Sequence, residues 1–313
     1  MTSKSRTAVV YGGSSNEREV SLHSGEAVAL ALKSKGYDVV LLDFADADFI
    51  NKITELKPEA AFLALHGAGG EDGIVQGLLE YLRIPYTGSG VMSSALSMNK
   101  DSSKRFYAEA GLSVPESALV TSANSDDFES IFESFGGSVV VKAVDEGSAR
   151  DVYICDNLPD FMQAASKLAQ KSAPFLIEKF VSGREVTVGV LDDGENITAL
   201  PVIEIIPKNK FYDYESKYDQ GGAVHVCPAQ LPDEVTKKCL DHAVAAHKAL
   251  GCDGVSRTDF IIDSDGEPWI LETNTLPGMT STSLLPDAAK AVGMSFADLC
   301  EMILKTASLK SNL

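Results

Sequence analysis

Residues 7–36 read TAVVYGGSSNEREVSLHSGEAVALALKSKG: a short apolar run, paired glycines at Gly12-Gly13, then a segment whose Val20, Ala27, Val28, Ala31 and Leu32 share one helical face. That is a strand, a tight turn and a helix, with Gly36 as the stop. The same alternation continues through the strand pattern YDVVLLD (Tyr37 to Asp43), a polar helical stretch to Leu56, the apolar run AAFLALHG (Ala60 to Gly67), a helix from Gly73 to Leu82, and IPYTG. Strands alternating with helices predict parallel β/α winding.

Beyond Lys100 the pattern changes. A helix to Ala110 leads into SVVVKAV (Ser138 to Val144), DVYICD (Asp151 to Asp156), a helix through Met162 to Gln170, and FLIEKFV, which predicts a small α+β unit. The remainder carries EVTVGVLDD, ITALPVIEII, a long helix ending near Leu250-Gly251, then RTDFIID and PWILETN around the turn Ser264-Asp265-Gly266, a hairpin candidate. Boundaries are expected near residues 100 and 185. The fold class is α/β, α+β overall.

Composition narrows the function. The 313 residues are 44% hydrophobic and 23% charged, and the formal net charge of −18 argues against a nucleic-acid scaffold, because phosphate backbones are held by clustered Lys and Arg. A local basic pocket stays compatible with that balance. No apolar run approaches the roughly 18 residues of a membrane span, and Met1 to Arg6 lacks the apolar stretch of a signal peptide, so no membrane association and a cytoplasmic location are expected. Five scattered cysteines without a C-x-x-C pair, and five histidines without ligand spacing, predict no zinc.

Chemistry concentrates near the C-terminal hairpin. Arg257 and Asp259 share one strand face, Glu272 and Asn274 share one face of the next, so three oxygen ligands can converge there. Oxygen donors suit Mg²⁺, which is commonly shared with substrate phosphates. A solvated hairpin edge is the simpler reading on composition alone. The following tract, Glu272 to Thr280, contains Gly278, whose backbone N–H can meet a developing oxyanion. Lys100, Lys142 and Lys217 are candidate phosphate partners, and the turn Glu146-Gly147-Ser148 can cover phosphates. Neither a Walker motif nor G-x-G-x-x-G is present, which removes a P-loop and demotes an NAD site. For Glu17 a helix-dipole role, and for Tyr218 a packing role, remain alternatives.

Taken in order, GGSSNEREVSLHSG, HGAGGEDG, YTGSGVMSSALSMNK, EGS, FYDYESKY, CPA, SRTDF and ETNTLPGMT resemble the ATP-grasp family, specifically the D-alanine–D-alanine ligases, over nearly the whole chain. The resemblance implies an ATP-grasp fold with an N-terminal parallel β/α domain (1–99), a central lid (100–184) and a C-terminal domain (185–313). It implies ATP, two Mg²⁺ (or Mn²⁺) and D-alanine as ligands, and a homodimer. The implied reaction joins two D-alanines through an acyl phosphate, for peptidoglycan precursors. By the same resemblance Glu17, Ser148 and Tyr218 form a linked set at the first substrate, and Arg257 with Gly278 stabilises the tetrahedral centre. Lys100, Lys142, Glu178, Lys179, Phe180, Val181, Glu185 and Lys217 hold ATP. Val20, His66, Ser283 and Leu284 contact substrate, and Asp259, Glu272 and Asn274 bind metal. Tyr at position 218 goes with a dipeptide rather than a depsipeptide product.

Three departures stand out from the family pattern. The loop usually written E-G-S-S-x-G-V is here Glu146-Gly147-Ser148-Ala149-Arg150-Asp151-Val152, which exchanges a hydroxyl and a glycine for Ala149 and Asp151 and is expected to set a negative charge near the nucleotide. Ala143 stands where Pro is common, and Thr282 stands where S-H-S is usual. A ligase with another second substrate, or a nucleotide-binding homologue without turnover, are the competing expectations.

Overall fold

A computed structural model of the chain describes residues 4–121, 128–147, 151–171, 173–207 and 223–311. The first sheet pairs β1 (Lys4–Tyr11) in parallel with β2 (Tyr37–Asp43) and β3 (Ala60–Leu63), in the order β2-β1-β3. Helices α1 (Arg18–Ser34), α2 (Phe49–Leu56) and α3 (Ile74–Tyr81) follow the alternating pattern, and α4 (Val91–Met98), which that pattern did not include, completes this part. Thr7, Ala8, Val9 and Val10 of β1 are all buried, because a parallel strand covered on both faces reads as an unbroken apolar run.

Helix α5 (Lys100–Glu109) leads to a second, antiparallel sheet of β4 (Ser117–Val120), β5 (Val139–Ala143), β6 (Val152–Cys155) and β7 (Phe175–Lys179), in the order β4-β7-β5-β6. One face carries α6 (Phe128–Ser134) and α7 (Leu158–Ala169), whose Phe128, Phe132 and Phe161 pack on Val139, Val141, Phe175 and Ile177. The third sheet runs β11-β10-β8-β12-β13 with β9 also on β8. Its strands are β8 (Arg184–Asp192), β9 (Ile197–Ala199), β10 (Ile203–Pro207), β11 (Ala223–Val226), β12 (Val255–Ile262) and β13 (Pro268–Asn274). Helix α8 (Asp233–Ala249) packs beside it, and α9 (Leu284–Ala291) and α10 (Phe296–Lys305) close the chain.

Packing joins what chain order separates. Tyr107 and Leu112, just past residue 100, lie in one core with Val186, Val188 and Phe260, so α5 is anchored to the third sheet although the second sheet follows it in sequence. Leu299, Ile303 and Leu304 of α10 share a core with Val28 and Leu32 of α1, and Tyr86 N–H donates to the Ser308 carbonyl at 3.3 Å. A long-range return of this kind leaves no local periodicity to read.

The β1–α1 turn is pinned by charge. Arg18 donates to both Asp43 oxygens, and the Gly13 and Ala45 amides donate to Oδ1 at 3.1 and 2.9 Å. Gly12 has φ +72°, and a Cβ there would sit 2.4 Å from Asp43 Oδ1, so only glycine fits. The Arg18 bond, opposed by burial and assisted by the amides, holds the Asp43 carboxyl at about 2. A free aspartate titrates near ~3.9, so the stabilisation is present above pH ~4 and lost as pH falls toward ~2. Asp43→Asn is expected to cost ~1–2 kcal/mol near neutral pH, after allowance for partial solvent screening, and almost nothing near pH ~2. Urea unfolding of both proteins across that range checks it.

Candidate active site

Between the second and third sheets lies a cavity of about 750 Å³. Lys142 of β5, Glu178 and Lys179 of β7, Phe180 and Val181 of the following turn, and Glu185 of β8 line it, opposite Asp259 and Glu272, with Lys100 at the α5 end. The structure therefore brings seven of the eight residues expected at ATP to one cavity wall. The eighth, Lys217, lies outside the described residues, as do Ser148 and Tyr218.

Hairpin pairing builds the floor. On β12 and β13, Asp259 faces Glu272 and Arg257 faces Asn274, and because side chains alternate along a strand all four share one side of the sheet. Arg257 grips Asp259 with two parallel bonds of 2.9 Å, Asn274 Nδ2 lies 3.4 Å from Asp259 Oδ2, and the buried Thr187 hydroxyl donates to Oδ1. Lys100 Nζ is 3.3 Å from Glu272 and donates to the Glu146 carbonyl at 2.6 Å. Two opposed carboxylates and an amide oxygen make a hard donor set with too few protein ligands to enclose a cation, which fits Mg²⁺ completed by phosphate oxygens.

Farther in, Glu178 is buried between two ammonium groups, Lys142 at 2.6 Å and Lys104. Burial opposes its ionisation, but the two positive neighbours outweigh that and hold its carboxyl below the usual range. Lys104 was missed in the sequence. Its place four residues after Lys100, on the same face of α5, is the signal that was available.

The residues expected at the first substrate gather around Gly67 and Gly147. A Cβ on Gly67 would come within 2.5 Å of Glu17 Oε2 and one on Gly147 within 3.1 Å, so the carboxylate at the start of α1 abuts both backbones. Ser15 Oγ accepts from the Glu17 amide at 3.1 Å and donates to the His66 carbonyl at 2.7 Å. Val20 is half-buried one turn along α1. On the opposite side Gly278 has no room for a Cβ, which would stand 2.8 Å from Ser283 Oγ; that hydroxyl accepts from the Thr280 amide at 3.0 Å, and the buried Leu284 opens α9. Both nitrogens of the His66 ring are engaged, by Ser24 Oγ and the Leu276 carbonyl, each at 3.1 Å.

Glu71 was also missed, because HGAGGEDG reads first as a glycine tract. Its Oε2 accepts the Gly67 amide at 2.7 Å, and burial together with the nearby Glu17 charge pushes its carboxyl up to about 8. The Glu71 carboxyl is thus largely protonated at neutral pH.

The altered loop has a structural answer at its far end. Asp151 has φ +51°, the left-handed region that glycine occupies easily and aspartate tolerates. Its carboxylate is engaged by Lys171 and by the Tyr153 hydroxyl at 2.9 Å, and Lys171 also reaches Glu146 at 3.8 Å. The sequence sets a negative charge here that Arg150, outside the described residues, could offset; among the described residues Asp151 has partners of its own and does not line the cavity. Asp151→Gly is therefore expected to raise KM for ATP about threefold, the equivalent of losing one partly exposed charged bond of ~0.6 kcal/mol, where repulsion of the nucleotide would instead have made KM fall. Steady-state kinetics at saturating D-amino acid decides the sign.

Two family models match the chain, D-ala D-ala ligase N-terminus over residues 44–89 and D-ala D-ala ligase C-terminus over residues 106–305. A D-alanine–D-alanine ligase of Anaeromyxobacter sp. (strain K) is 46% identical over 306 residues, covering 98% of each chain. The crystal structure of the D-alanine–D-alanine ligase from Bacillus anthracis complexed with ATP superposes with TM-score 0.84 at 32% identity, covering 97% of each chain. A D-Ala:D-Ser ligase from Enterococcus faecalis superposes with TM-score 0.82 at 29% identity, covering 96% of this chain and 98% of that one.

Proposed function

The chain belongs to the D-alanine–D-alanine ligase family, with its ATP-grasp fold, and from that premise we infer how its residues divide the work. It is an ATP-dependent ligase that makes D-alanyl-D-alanine for cell-wall synthesis. A carboxylate oxygen of the first D-alanine attacks the γ-phosphorus of ATP, forming an acyl phosphate and ADP. The amine of the second attacks the acyl carbon, and the tetrahedral centre collapses to the peptide with loss of phosphate and a proton.

The arrangement that carries this reading is the pairing of opposite charges along one cavity: Arg257 on Asp259, Lys100 near Glu272, Lys142 on Glu178. Each pair holds a cation suited to phosphate or oxyanion and an anion suited to a metal ion or a ligand donor. Asp259, Glu272 and Asn274 would hold magnesium, proposed as two ions, which would supply charge neutralisation at the phosphates. Lys100, Lys142 and Lys217 take phosphate oxygens. Glu178, Lys179, Phe180, Val181 and Glu185 take adenine and ribose, with Phe180 as the aromatic wall. Glu17, with Ser148 and Tyr218, anchors the first ammonium, and Val20 and His66 shape that pocket. Arg257 and the Gly278 amide meet the oxyanion as it forms, and Ser283 and Leu284 receive the second carboxylate.

Phosphate release by the purified protein with ATP, Mg²⁺ and D-alanine, alongside mass detection of the dipeptide, tests the whole reading. Equal yields are expected; ATP consumption without dipeptide, or none at all, refutes it.

We further propose a cytoplasmic homodimer. No helix among the described residues is long and apolar enough to cross a membrane. The exposed Ile74, Tyr81, Val91 and Met92 on the neighbouring α3 and α4 give one apolar face for a second copy, and light scattering reads the mass.

A further inference from the structure

Three hydrogen-bonded chains meet at His66. The Glu17 amide donates to Ser15 Oγ at 3.1 Å, and that hydroxyl donates to the His66 backbone carbonyl at 2.7 Å. The Met279 amide donates to Ser24 Oγ at 3.3 Å, and Ser24 Oγ lies 3.1 Å from His66 Nε2. His66 Nδ1 lies 3.1 Å from the Leu276 carbonyl. A carbonyl only accepts, so Nδ1 carries the proton, Nε2 offers its lone pair, and the Ser24 hydroxyl must donate to it. The Ser24 lone pairs are then turned to the Met279 amide, and every member of the chain has one consistent direction.

Burial supports this single arrangement. Ser24 is fully enclosed, His66 is 6% exposed, and burial depresses the imidazole so that it stays neutral. A protonated ring would place a second N–H against the Ser24 hydroxyl and reverse the chain. The two ends of the network are also the two ends of the first substrate. Glu17 stands where the ammonium is anchored, and the Leu276–Met279 turn carries the Gly278 amide that faces the carbon under attack.

We infer that Ser24 and His66 together set the span between the ammonium anchor and the oxyanion turn, and that Ser24 is a positioning residue for the second chemical step. This rests on the ligase reading above. The physical reason is that an oxyanion donor contributes only when it is held, before reaction, at the position the charge will occupy. Met279 N–H, fixed by Ser24, orients the peptide plane next to Gly278. Leu276, fixed by His66, orients the chain on the other side. The Ser15 link ties that turn to the strand end from which Glu17 is measured.

Single variants separate the branches. Ser24→Ala removes the Met279 branch. His66→Asn retains a donor near Nδ1 for Leu276 and loses Ser24. His66→Gln presents an oxygen near Nε2, keeps Ser24 and loses Leu276. Ser24→Ala and His66→Asn are expected to lower kcat for dipeptide formation about 30-fold, with KM for ATP within about twofold of the parent. His66→Gln is expected to recover at least half of the kcat lost in His66→Asn. Binding of a phosphinate analogue of the tetrahedral centre should weaken in parallel with kcat. A merely structural role would move the melting temperature and both KM values together and leave Asn and Gln alike.

Amide hydrogen exchange of the peptide containing Met279 gives a readout that needs no turnover. It should quicken at least tenfold in Ser24→Ala and little in His66→Gln. Unchanged exchange, or unchanged kcat in Ser24→Ala, overturns the inference. If the parent protein exchanges slowly at Met279 and the variant quickly, yet the parent forms no dipeptide, the positioning stands and the ligase reading is what fails.

Discussion

Arg257→Met is expected to lower dipeptide formation about 10³-fold while leaving acyl phosphate formation within about tenfold of the parent. The guanidinium carries a permanent charge on the same sheet face as Asp259 and Asn274, and in the function proposed above it faces the acyl carbon held between Glu17 and Gly278. Removing one preorganised oxyanion donor typically costs ~10²–10³ in rate, and a full positive charge stands at the upper end. Hydroxylamine captures an acyl phosphate as the hydroxamate, so hydroxamate from D-alanine with dipeptide missing separates the second step from the first. Loss of both products in equal measure would place Arg257 at the phosphoryl group instead. Because Asp259 is buried and gripped bidentately by Arg257, the variant also leaves a carboxylate without its partner, at ~3 kcal/mol or more of stability. Arg257→Lys restores charge without the two-pronged geometry, so stability should recover more than rate does.

The sequence displayed the local parts of this architecture and hid the convergent ones. Alternating apolar runs placed β1 to β3 and α1, since strand and helix periods are properties of neighbouring residues. The period of two at Arg257 and Asp259, and at Glu272 and Asn274, put each pair on one face; only the register of β12 on β13 shows that Asp259 stands opposite Glu272. Lys104 and Glu71 were passed over because the setting of a charge depends on partners brought from elsewhere, Glu178 some seventy positions from Lys104 and Glu17 from α1 beside Glu71. Ser24 gave no signal at all, since its partners are His66 and Met279 and the latter is 255 positions distant. The resemblance to the ligases supplied positions for roles that no spacing rule could supply, among them Ser283 and Glu185. What the family pattern did not supply is the setting of Asp151, where a glycine position is filled by a charge with its own local partners, Lys171 and Tyr153.

Those self-paired charges lead to an outcome with opposite signs. Among the described residues the cavity is lined by four cations, Lys100, Lys142, Lys179 and Arg184, and six carboxylates, Glu146, Glu178, Glu185, Glu204, Asp259 and Glu272, two of which are also paired from behind by Lys104 and Arg257. The carboxylate of Glu272 repels a nucleotide that is itself polyanionic, and a divalent cation held there would offset that repulsion. Glu272→Gln removes one of the proposed metal ligands and one negative charge together. Turnover with Mg²⁺ is therefore expected to fall at least ~10³-fold, because the cation no longer neutralises charge developing on the γ-phosphoryl group. ATP binding without metal is expected to tighten, by about fivefold. One unit charge at ~10 Å in a medium of effective dielectric ~30 is worth ~1 kcal/mol, and Lys100, 3.3 Å from Glu272, is released to the phosphates. Calorimetry in EDTA reads the second effect and phosphate release in Mg²⁺ reads the first. A variant that loses both activity and metal-free affinity would assign Glu272 to direct support of the nucleotide, and the charge exchange along the cavity would then not be the basis of metal dependence.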